Sequence, residues 1–153
     1  MPSSAESVFE CLDKLVSADS LYQGLVESLL GVSLKFDSSR STSAYNFYLY
    51  ERVGSQKNTG FVQQVDFRTP LNPGKGAYPF LYLVMQQSDG LNANAVISQY
   101  GEPQDLVVPT PQESSGTGIS VTYVYNLKQW EVSFGIGPPP KEIVLSIALD
   151  RQS

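Results

Sequence analysis

Apolar positions recur at helical spacing near the start of the chain and at every second residue through much of the rest. Val8, Leu12, Leu15 and Val16 fall on one helical face. Ser3-x-x-Glu6 ahead of them fits a capping box, in which each side chain satisfies a backbone N–H of the first turn. Ser17-Ala18-Asp19-Ser20 interrupts the pattern. A second helix is predicted with Leu21, Leu25, Val26, Leu29 and Leu30 on one face, and Gly31 as a left-handed cap.

From Tyr45 the period changes to two. Tyr45, Phe47 and Leu49 alternate with Asn46, Tyr48 and Tyr50, and Phe61 to Arg68 alternates again. The polar stretch Gly54 to Gly60 joins them as a predicted antiparallel hairpin. Thr69 to Pro79 reads as a Pro/Gly loop. Phe80 to Met85 reads as a strand apolar on both faces, hence central or covered. Ser88 to Asn92 is a turn. Asn92 or Asn94 caps a short helix over Ala93 to Tyr100, which Gly101 and Pro103 end. Leu106 to Gly118 reads as a loop. Three strands follow, with shared faces Ile119/Val121/Tyr123/Tyr125, Trp130/Val132/Phe134 and Ile143/Leu145/Ile147/Leu149. Gly137-Pro138-Pro139-Pro140 is a stiff connection between the last two.

The order is helix, helix, three strands, helix, three strands. The strand connections are too short for parallel crossovers. The expected class is therefore α+β: an antiparallel sheet with helices packed on one face. The chain of 153 residues reads as one compact domain over 1–153. Its halves, 3–86 and 92–150, share an outline of helix followed by three strands, and are candidate tandem repeats.

Composition narrows the function. There is no histidine, which removes the commonest general base and metal ligand and every Ser-His-Asp or Cys-His arrangement. Cys11 is the lone cysteine, so no intrachain disulfide can form. On an apolar helix face it reads as a small buried hydrophobe. Ten Lys and Arg against fifteen Asp and Glu give a net charge of −5. A scattered basic set of that size gives no patch for nucleic acid, which needs cations to replace phosphate counterions. Without such a groove, the nine Tyr and seven Phe read as sheet packing rather than base stacking. An acidic chain favours a basic partner through complementary fields, although mild acidity also simply aids solubility. No cofactor or metal is expected. Gly135-Ile136-Gly137 runs into prolines rather than a helix start, so it reads as a turn and not a phosphate loop.

No apolar run approaches the roughly 20 residues that span a bilayer. The opening Met-Pro-Ser-Ser-Ala-Glu lacks the basic and apolar regions of a secretory signal. The expected location is periplasmic if a leader has been removed, and otherwise cytoplasmic.

Val96-Ile97-Ser98-Gln99-Tyr100-Gly101-Glu102-Pro103 is followed by Thr122-Tyr123-Val124-Tyr125. Then come Trp130-Glu131-Val132-Ser133-Phe134 and Ile143-Val144-Leu145-Ser146-Ile147. This succession resembles the repeating unit of the β-lactamase-inhibitor-protein and SmpA/OmlA lipoprotein superfamily. There a helix ending in Gly-x-Pro leads into an aromatic strand and two amphipathic strands. The resemblance covers 92–150 and only loosely the first half. It implies a binding or inhibitory role through the open face of a sheet. The chain departs from the lipoproteins in having no lipobox before Cys11, and from the secreted inhibitors in lacking their cysteine pairs.

The expected activity is accordingly not enzymatic. The chain reads as an inhibitor or immunity protein that blocks a bacterial toxin or cell-envelope hydrolase, with a basic enzyme or toxin as partner. Strand parity puts Tyr48, Tyr50 and Arg52 outward, opposite Phe47 and Leu49. It does the same for Gln64, Asp66 and Arg68, and for Ser120, Thr122, Glu131, Ser133 and Ser146. The partner-binding set is Tyr48, Tyr50, Arg52, Gln64, Asp66, Arg68, Glu131 and Ser133, because Tyr and Arg combine large contact area with hydrogen bonding. The loops Gly54–Gly60 and Gln112–Gly118 are candidates for insertion into a partner's cleft.

Two alternatives stay open. Leu25 to Asp37 resembles the opening of type III secretion chaperones, although this chain closes on a strand rather than that family's helix. A small hydrolase or ligand-binding module would need a carboxylate pair. Glu51 and Asp66 are the candidates, but parity expects them on opposite faces.

Overall fold

A computed structural model describes residues 4–51, 61–72, 77–112, 116 and 118–151. Arg52, the Ser3 half of the capping box, the Gly54–Gly60 loop and most of Gln112–Gly118 lie outside the described residues.

Helix α1 (Ser4–Ser17) buries Val8, Leu12 and Leu15 at 1% exposure or less, the face that the spacing predicts. Helix α2 (Gln23–Leu30) ends at Gly31, whose φ of 68° is left-handed. There the N–H groups of Gly31 and Val32 both bond to Glu27 O, satisfying a carbonyl the helix end would orphan. The Glu27 carboxylate then accepts Leu34 N–H at 2.7 Å and steers the chain into the sheet. Helix α3 (Ala93–Tyr100) starts at Asn92, whose Oδ1 accepts Ala95 N–H at 3.0 Å. No helix among the described residues is long and apolar enough to cross a membrane.

The strands are β1 (Lys35–Phe36), β2 (Tyr45–Glu51), β3 (Val62–Pro70), β4 (Phe80–Met85), β5 (Asp105–Val107), β6 (Val121–Leu127), β7 (Trp130–Ile136) and β8 (Val144–Arg151). They form one antiparallel sheet in the order β1-β2-β3-β4-β8-β7-β6-β5. The chain runs from one edge to the centre. It passes through α3 to the other edge and returns to the centre, where β4 meets β8. The class is α+β.

Neither short edge strand is expected from the residue pattern. Lys35–Phe36 had no period to show, and Asp105–Val107 falls at the start of a stretch read as loop.

Helices α1, α2 and α3 each contribute to a core on one face of the sheet, against Val65, Phe67, Leu81, Leu83, Tyr125, Trp130, Val132, Phe134, Ile147 and Leu149. An aromatic cluster ties the helices to this face. Phe9 of α1 meets Tyr100 of α3 edge-on at 5.5 Å, and Tyr100 packs on Tyr125 and Phe134. Tyr125 donates its buried hydroxyl to Gly101 O at 2.8 Å. Burial pushes its pKa up to about 12. Cys11 is buried, as expected of a small hydrophobe, and its Sγ lies 3.5 Å from Leu29 O. Burial pushes the thiol up to about 11, partly offset by the charge of Lys14.

Candidate functional site

The face opposite the helices is built by cross-strand pairing, because residues directly opposite each other share a face. Three rows cross it. The first is Phe47, Arg68, Phe80, Asp150, Glu131 and Asn126. The second is Leu49, Asp66, Tyr82, Ala148, Ser133 and Val124. The third is Glu51, Gln64, Val84, Ser146, Gly135 and Thr122. Five of the eight expected binding residues therefore share this face: Gln64, Asp66, Arg68, Glu131 and Ser133.

Tyr48 and Tyr50 do not. They pair with Phe67 and Val65 and pack against the core on the helix side. The Tyr48 and Phe67 rings lie 6.2 Å apart. The physical reason is that β2 is apolar on both faces, so alternation alone does not say which face turns inward. Near the sheet's edge the residues of β2 are only half-buried, and a tyrosine suits such a place because its ring packs on apolar neighbours while its polar end tolerates water. Phe47 and Leu49 take the open face instead. Glu51 moves with them and so shares a face with Asp66, contrary to expectation.

The centre of the first row is Arg68. Its guanidinium carbon lies 4.8 Å from the Phe47 ring centre and 5.1 Å from that of Phe80, so it sits between two aromatic rings. Its Nε and Nη2 donate to the two oxygens of Asp66 at 3.3 and 3.2 Å. That fork holds the guanidinium plane in place. Arg40 approaches the same carboxylate at 3.8 Å.

Arg40 is placed by the turn after β1. Asp37 Oδ1 accepts the Ser39 N–H and hydroxyl and the Arg40 N–H. These bonds, the Ser39 hydroxyl above all, lower the Asp37 pKa. Ser41 completes the turn, donating to Asp37 O and accepting Phe47 N–H. Two guanidinia and one carboxylate thus lie beside two rings on an open sheet face. On the far side of Phe80, Asp150 and Glu131 pair across β8 and β7.

Two β-bulges shape the other end of the face. On β3 an extra residue between Val62 and Gln64 leaves Gln63 and Gln64 both exposed, between buried Val62 and Val65. On β8, Val144 pairs with Ile136 and Ser146 with Gly135, so Leu145 is the extra residue. Val144 is buried in the core, while Leu145 turns to the open side. This corrects the expectation of a shared face for Ile143, Leu145, Ile147 and Leu149. A groove of about 850 Å³ lies here, between the bulges and the Pro138–Pro140 loop.

Sequence reasoning missed Phe47, Phe80 and the groove. The signal for the first two was present: an Arg outward on a strand flanked by strands that carry Phe. Among the described residues no cluster of His, Cys, Asp and Glu is placed to hold a metal ion. No family model, curated protein or solved structure matches the chain.

Proposed function

We propose that this chain is a protein-binding protein, most specifically an inhibitor or immunity protein, and that it acts through the open face of its sheet. The observation that carries this reading is the Arg68 arrangement. A guanidinium held between Phe47 and Phe80 and forked onto Asp66 has already lost most of the rotamer freedom that docking would cost. Arg and aromatic side chains of this kind dominate binding energies at protein interfaces.

The charges indicate how a partner would sit. Asp150 and Glu131 would take a basic group of the partner, and Arg40 with Arg68 an acidic one. Such pairing sets orientation and on-rate. Asp66 is engaged by two guanidinia, which gives it a ready structural role as an anchor and favours binding over acid–base chemistry with Glu51. We also propose that the two arms, β1–β4 and β5–β8, descend from one repeated unit. Each runs from a short edge strand to the centre of the sheet.

Affinity capture from lysate of the native host, with the bound protein identified by mass and then assayed, tests the reading. The expected result is one stoichiometric folded partner whose activity falls on binding. A partner held unfolded would transfer the protein to the chaperone class, and no partner would refute both.

A further inference from the structure

The groove at the bulged end of the open face is amphipathic across its width. One wall carries side-chain amides, Gln63 and Gln64 from the β3 bulge with Gln87 beyond β4. The other is apolar, with Leu145 from the β8 bulge and Pro138, Pro139 and Pro140 of the proline loop. Each amide both donates and accepts, so that wall matches the alternating N–H and C=O groups of a peptide main chain. The apolar wall matches a side chain. The volume of about 850 Å³ lies within the range of about 300–1,000 Å³ usual for ligand sites.

Among the described lining residues Lys141 is the sole charged one, in a chain of net charge −5. Its partner Asp89 lies 3.5 Å away, with both side chains more than two-thirds exposed. An ion pair so exposed contributes little and is readily exchanged.

We infer that this groove receives an extended peptide segment of a partner, with an apolar side chain against Leu145 and a neighbouring carboxylate on Lys141. The inference rests on the protein-binding reading above and names the element of the partner that would enter. The two bulges are what make the site. Each brings an extra side chain to this face, and together they flank Val84 of β4.

The test uses random twelve-residue peptides displayed on phage, selected on the full chain and counter-selected on its Leu145→Asp variant. Circular dichroism and thermal melting verify that each variant folds. The expected outcome is enrichment of sequences with an apolar residue beside Asp or Glu. Synthetic copies should bind the wild type and lose at least tenfold in affinity on Lys141→Glu, whose site is exposed enough to spare the fold. They should bind Lys14→Glu, an exposed charge reversal on α1 at the helix side, as well as they bind the wild type. No enrichment, peptides that bind Leu145→Asp equally, or a basic consensus would overturn the inference. So would a dimer of the chain alone that Leu145→Asp dissociates, since the groove would then belong to a second copy.

The two readings fail separately. Native partner captured equally well by Leu145→Asp removes the groove and leaves the open face. Peptide binding without a native partner leaves the groove and removes the inhibitor.

Discussion

The guanidinium carbon of Arg68 lies 4.8 Å from the centre of the Phe47 ring, on a sheet face opposite the helices. Stability has little to gain from this contact, because the Arg68 side chain is 40% exposed. Arg68→Ala should therefore change folding stability by no more than about 1 kcal/mol. In a chemical denaturation series the midpoint should barely move. A loss several times larger would make Arg68 a structural residue and weaken its claim as an interface anchor.

Gly135 has a stricter requirement. A Cβ there would come within 2.4 Å of Ser146 Oγ and 2.7 Å of Ile119 Cδ1. Both neighbours are side-chain atoms that can give a little, so Gly135→Ala should cost about 1–3 kcal/mol rather than abolish folding. Thermal unfolding measures it. An unchanged midpoint would mean that Ile119 does not lie over this strand.

Tyr125 joins packing to hydrogen bonding. Tyr125→Phe keeps the ring against Tyr100 and Phe134 but leaves Gly101 O without its 2.8 Å donor. The expected loss is about 1–2 kcal/mol. Equal stability of the two proteins would place water at that carbonyl.

Cys11 predicts an alkaline limb. Its folded pKa is raised from 9.0 to about 11, so the unfolded chain releases this proton first as pH rises. Stability from this group is complete below about pH 9 and is lost through about pH 11, by up to about 3 kcal/mol. The wild type should lose more stability than Cys11→Val between pH 8.5 and 11. Parallel stability curves would refute the buried thiol.

Much of this fold is legible in the residues. Gly31 announces a helix end, and Asn92 or Asn94 a helix start that the fold places at Asn92, because a left-handed φ and an Asn side-chain acceptor are local requirements that local sequence can satisfy. Strand parity is legible only where one face is polar. Gln64, Asp66 and Arg68 alternate with Val65 and Phe67, and their direction follows. Tyr48 and Tyr50 alternate with Phe47 and Leu49, and it does not. The bulges are illegible for a related reason. Gln63-Gln64 and Leu145-Ser146 each break the two-residue period by one, and a break looks like noise until the partner strand supplies the register. Phe47 and Phe80 reach Arg68 from different strands, a proximity that only pairing reveals.

The proposed role of the open face is to bind a protein. Its most direct test is the affinity of the captured partner for four forms of the chain: wild type, Arg68→Glu, Glu131→Lys and Tyr48→Phe. At least a tenfold loss is expected for Arg68→Glu and for Glu131→Lys, and wild-type affinity for Tyr48→Phe on the helix side. Wild-type affinity for both charge variants would contradict it.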